Sequence, residues 1–90
     1  MQGDLTGARR LHERALAIYE ARLGPDHPHT ATSLNDLAVV LRDQGDLAGA
    51  RGLHERALAI YEARLGRDHP DTQRGRRNLA AVVAKLENQR

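Results

Sequence analysis

Residues 11–24 read LHERALAIYEARLG, and residues 53–66 read LHERALAIYEARLG again. The copies lie 42 positions apart, and the agreement spreads outward from them. Gln2-Gly3-Asp4-Leu5 returns as Gln44-Gly45-Asp46-Leu47, and 28 of the 42 positions in 2–43 match their counterparts in 44–85. A fixed period in this range marks a repeat array, in which each unit buries its apolar face on its neighbours instead of in one central core. Arrays of this kind present a long surface, so the period bears on function as much as on fold.

Within the repeated stretch, Leu5, Ala8, Leu11, Ala15, Leu16, Ile18, Tyr19 and Leu23 recur at three- and four-residue intervals with no internal proline, which predicts a helix over 5–23. Gly24-Pro25 ends it. Pro28 suits the first position of a second helix, where its missing N–H costs nothing, and this puts His27 at the cap. The second helix is expected over 28–43, with Leu34, Leu37, Ala38, Val40 and Leu41 as its buried stripe. Gln44-Gly45-Asp46 makes a tight turn in which Gly45 takes a left-handed conformation and Asp46 caps the third helix. The second copy predicts helices over 47–65 and 70–88. The expectation is therefore an all-α chain of four antiparallel helices forming one domain, 1–90. It holds one complete hairpin, 28–65, flanked by half repeats.

Composition narrows the functional classes. Ninety residues make one small domain or a fragment of a longer array, and 40% apolar with 29% charged is a globular balance. The net charge of +2 comes from interleaved signs, which is no nucleic-acid footprint, and with two Tyr and no Trp or Phe there is little on which bases could stack. No apolar run approaches the ~20 residues that cross a bilayer. The chain contains no cysteine and opens on no secretory signal, so a cytoplasmic location is the expectation.

The candidate chemical motifs fall short of a site. His12-Glu13 and His54-Glu55 begin like a zinc-protease signature, but the second histidine it needs is Leu16 in one copy and Leu58 in the other. His54 reads instead as a helix-packing residue. His27 and His29 flank Pro28 beside Asp26, yet the second copy has Asp71 in place of His29, which leaves an incomplete metal set and favours helix capping. No hydroxyl stands in a nucleophile–base arrangement, and no glycine-rich phosphate loop occurs. Neither catalysis nor a bound metal or cofactor is expected. Arg74, Arg76 and Arg77 oppose the dipole of the last helix; they read first as a solvated array end and second as an anion patch.

Gln44-Gly45-Asp46-Leu47 followed by Ala50 and Ala57-Leu58, with Leu34, Leu37, Ala38 and Leu41 upstream, resembles the tetratricopeptide repeat. The eight residues beyond that repeat's usual 34 lie in 61–68, and a 42-residue unit ending in ALAIYEARLG-x-DHP is similar to the kinesin light chain subclass. That subclass also recurs in bacterial multidomain regulators. Two departures stand out: His54 occupies a position where the repeat usually has a large aromatic residue, and Leu47 replaces the common Tyr.

The resemblance implies an α-solenoid scaffold for protein–protein interaction. By alignment, the shorter helices line a peptide surface with Asn35, Arg42, Arg74, Arg77 and Asn78 as its polar grips. Members that clamp a C-terminal carboxylate carry Asn where this chain has Val39 and Ala81, which argues against that specificity. The alternative is self-assembly by stacking or helix exchange, through a first helix left uncovered at Leu5, Ala8, Leu11 and Ala15. On this reading the first helix is the open end of an array, and the arginine-rich last helix resembles a terminal cap.

Overall fold

Local chemistry at three turns sets where the helices begin and end. His27 stays extended at ψ 144° and its Nδ1 accepts the His29 backbone N–H at 3.0 Å; His69, at ψ 139°, takes the Asp71 N–H at 3.0 Å. Pro28 and Pro70 each open a helix, at the position where a missing donor is harmless. The Thr30 hydroxyl donates to the Gly24 carbonyl at 2.8 Å and closes the first connection. At the middle turn Gly45 has φ 91°, a value that costs any other residue, and Asp46 accepts the Gly49 N–H at 2.9 Å.

The computed structural model describes residues 2–89, with side chains from Asp4 to Gln89; Met1 and Arg90, the ends of the expected 1–90 domain, lie outside the described residues. The elements are α1 (Gln2–Leu23), α2 (Pro28–Asp43), α3 (Leu47–Leu65) and α4 (Pro70–Asn88), with no strand among the described residues. One boundary departs from expectation: α1 starts at Gln2 and not at Leu5, so Asp4, counterpart of the capping Asp46, lies inside the first turn. The turn at 44–46 is pinned by α2 itself, whose Arg42 and Leu41 carbonyls accept from Gly45 and Asp46. Among the described residues no helix stands before α1 to pin an equivalent turn.

The helices pack in chain order: α2 lies between α1 and α3, and α3 between α2 and α4. One core cluster joins Ala31 and Leu34 of α2 to Ala57, Ile60 and Tyr61 of α3, with Leu16 of α1 against it. A second joins Ala38 and Leu41 to Leu47 and Ala50, and reaches Val82 and Leu86 of α4. Ala31, Ala38, Ala50 and Ala57 are fully buried, and their small side chains let the helix axes approach closely. The Arg56 guanidinium meets Glu20 at 2.7 Å and ties α3 to α1. The result is a slab with extents of 33 × 28 × 16 Å. Its longest dimension is about that of a 22-residue helix such as α1 at ~1.5 Å per residue.

Candidate functional site

The run shared by α1 (Leu11–Leu23) and α3 (Leu53–Leu65) meets different surroundings. In α3, Ile60 is 5% exposed and Tyr61 fully buried, whereas Ile18 is 54% and Tyr19 40% exposed, and Leu11 reaches 66%. α2 covers α3 on the side of Ala57 and Ile60, and Gly75 of α4 lies against Leu58 and Tyr61. α1 packs mainly on α2, on the side that carries Leu16, and meets α3 through Glu20, so the side of Leu11 and Ile18 has no cover among the described residues. The two tyrosines show the difference atom by atom. Tyr61 Oη pairs with the Thr32 hydroxyl at 2.6 Å, while the Tyr19 ring stacks loosely on His29 at 6.4 Å between centroids.

Of the four residues expected on the bare face, Leu11 is fully on it, and Ala8 and Ala15 are half-buried at its margin. Leu5 turns away: it is half-buried in a depression shared with Thr6, Asp43 and Gln44 at the end of α2. Ile18, Tyr19 and Leu23 complete the exposed surface. Nothing in their own segment sets them apart, since its copy in α3 buries Ile60 and Tyr61.

The expected peptide-gripping residues divide into two rows. Asn35 requires a correction: it is buried, and its Oδ1 lies 2.8 Å from Nδ1 of the buried His54 ring, so it points into the α2–α3 interface and not onto an open surface. The cause is its place on the row Ala31, Leu34, Asn35, Ala38, which is the row that meets α3. Burial pushes the His54 pKa below its ordinary 6.5, and the Arg42 guanidinium pushes the same way. A neutral ring thus donates from Nδ1 to Asn35 Oδ1, and Asn35 Nδ2 is left buried without a partner.

Arg77 is the counterpart of Asn35 and shares its row, with Gln73, Arg76 and Ala80 around an open depression of about 360 Å³ on α4. The second row faces solvent in both helices. On α2 it carries Asp36, Val39, Arg42 and Asp43; on α4, Arg74, Asn78, Ala81 and Lys85, all half or fully exposed. Arg42 lies against Asp43 at 3.2 Å, and Arg74 against Asp71 at 3.4 Å. Arg76 stands where α2 has the buried Leu34, yet it reaches Glu62 at 3.6 Å and the Arg67 carbonyl at 3.3 Å. Two of the three clustered arginines therefore have anionic partners within the chain, which weakens any anion patch to the single charge of Arg77.

The histidines of the first connection are occupied structurally. His27 caps α2 and stacks on His29 with centroids 5.0 Å apart. Among the described residues, no group of three or more His, Cys, Asp or Glu side chains is placed to hold a metal ion, and no helix is long and apolar enough to cross a membrane.

The family model of the tetratricopeptide repeat matches residues 1–63 and, overlapping them, 33–90, so the two matches together span the chain. No curated protein matches the chain.

Proposed function

The chain belongs to the tetratricopeptide repeat family, a family of protein-interaction scaffolds, and from that premise we propose that it holds a peptide or protein partner along the solvent-facing rows of α2 and α4. One observation carries this reading. Thr30/Thr72, Leu37/Leu79 and Val40/Val82 are kept as inner positions in α2 and α4, while the pairs on the solvent-facing row differ: Asp36/Asn78, Val39/Ala81, Arg42/Ala84 and Asp43/Lys85. A constant scaffold thus displays a varied set of side chains, which is how one fold acquires a particular partner. Arg42, Arg74 and Asn78 supply the donors, and Asp36 and Asp43 the acceptors. The 42-residue period and the ALAIYEARLG-x-DHP ending support a place in the kinesin-light-chain-like subclass, and a cytoplasmic setting suits a chain without cysteine.

The test is a display library of extended peptides selected on the intact chain. Arg42→Ala with Asn78→Ala should weaken the selected peptides by about tenfold or more, with helicity unchanged. Undiminished affinity in that variant would remove these rows from the binding surface. A second reading, self-assembly through α1, is favoured by the exposure of Leu11 and Ile18. Sedimentation at tens of micromolar (about the range of weak association) separates the two, because a strict monomer eliminates assembly.

A further inference from the structure

The solvent-facing rows of α2 and α4 differ in charge. Early α2 packs on late α3, and early α3 on late α4, so α2 and α4 run in the same direction and their equivalent positions stand at the same level. α2 has a helix on either side, α1 and α3, and its row is still exposed, so this face is not one that a neighbouring helix covers. The charges of the α2 row are Asp36, Arg42 and Asp43; those of the α4 row are Arg74 and Lys85, with Asp71 at its head. Arg42 lies against Asp43, and Arg74 against Asp71. Asp36 and Lys85 remain, one on each row and opposite in sign, and neither has an ion-pair partner among the described residues. No cation stands three or four residues from Asp36, where Thr32, Ser33, Val39 and Val40 are found. Asp43 is the last residue of α2, at the end where the helix dipole favours a cation, and Lys85 meets that preference at the equivalent place in α4. Helix stability therefore does not account for the acidic charge of the α2 row.

We propose that the ligand of these rows is a peptide of mixed charge, with basic side chains on the flank that meets α2 and acidic ones on the flank that meets α4. The proposal rests on the reading of these rows as a peptide surface and narrows what they take. A ligand of one sign meets its like on one row whichever sign it has: a polyanion meets Asp36 and Asp43, and a polycation meets Arg74 and Lys85. A ligand that carries both signs escapes this penalty. An extended chain can serve both rows at once, because its successive side chains point to opposite sides.

The probe is a display library of random peptides of about ten residues, roughly 33 Å when extended. It is selected in parallel on the intact chain, on Asp36→Lys with Asp43→Lys, and on Arg74→Gln with Lys85→Glu. All four side chains are exposed, so the variants should keep their helicity by circular dichroism. On the unaltered chain, peptides that hold both a basic and an acidic residue should be enriched over their share of the unselected pool. The first variant should shift the pool toward acidic peptides and the second toward basic ones. By fluorescence anisotropy, replacing one charge of a selected peptide by a neutral residue should weaken binding about two- to fivefold, and less as salt is raised. A pool of one sign, a pool without charge bias, or the same pool on all three proteins would overturn the mixed-charge ligand. The rows would still be a peptide surface in those cases if Arg42→Ala with Asn78→Ala weakens the selected peptides. Undiminished affinity in that variant, or no enriched peptide at all, removes the surface itself and the proposal with it.

Discussion

α1 and α3 form a controlled comparison inside one chain: the same run, Leu11–Leu23 and Leu53–Leu65, once packed mainly on one helix and once between two. Tyr61 is a core residue and Tyr19 is not, although the four residues on either side of each are the same. Burial here belongs to the neighbour and not to the segment. In a repeat array an apolar pattern states only that a face can be covered; the adjoining helix decides whether it is, and therefore whether the face stabilises the fold or is left to attract a partner.

Paired substitutions give the largest test of that contrast. Tyr61→Ala should destabilise the chain by about 3–5 kcal/mol, because it opens a cavity between α2, α3 and α4 and removes the Tyr61–Thr32 hydrogen bond. Tyr19→Ala should cost under about 1 kcal/mol, as surface changes do. Urea midpoints of the two variants measure the difference, and equal losses would mean that α1 is covered in solution.

Next in size is the response to acid. The folded His54 ring binds a proton less readily than the unfolded one at 6.5, so the unfolded state takes up more protons as pH falls below that value. Stability should be full above about pH 6.5 and decline on acidification, and His54→Gln should flatten that decline while His12→Gln leaves it in place. Urea titrations at about pH 7.5 and about pH 5 give the slope; a decline unaltered by His54→Gln would place its source elsewhere.

Gly75→Ala comes third. Gly75 is buried on α4, and a Cβ there would meet Tyr61 Cδ2 at 3.4 Å, an ordinary contact, while the substitution restores helix propensity. A gain of about 0.4–1 kcal/mol is expected in thermal unfolding, and a loss would show that the α3–α4 contact has no room to give. The smallest effect should be one without contrast. Arg9–Glu13 and Arg51–Glu55 are i,i+4 pairs at 3.4 and 3.5 Å, about equally exposed in both copies, so Glu13→Gln and Glu55→Gln should each cost about 0.2–0.5 kcal/mol. Unequal costs would reveal a neighbour acting on one outer face.

Much of the architecture is legible in the sequence, because the punctuation is chemical and local. Gly24, Pro28, Gly45, Asp46 and Pro70 mark turns and caps by what their backbones permit, and His27 and His69 cap the helices that they precede. The part that resists reading is lateral. Alignment with the repeat family puts Asn35 on the peptide surface, yet its spacing from Ala31, Leu34 and Ala38 puts it on the inner row, and a buried histidine opposite supplies the polar partner that makes this tolerable. Arg77 inherits that row, which no property of arginine announces. The exposure of Ile18 and Tyr19 is not legible in their own segment at all, since an identical segment is buried.

The α1–α2 and α3–α4 connections have a consequence for growth. Gly24 and Gly66 have φ 95° and 87°, and the histidine caps after them close at the same distance with ψ within a few degrees. The glycine, the histidine cap and the proline after it recur at both corners, although the Thr30 bond that closes the first has no counterpart at Thr72, so a tandem duplication of 42 residues reproduces a joint whose main parts already fit. Length becomes a ruler graduated in whole units, adjustable by recombination without inventing a new bend.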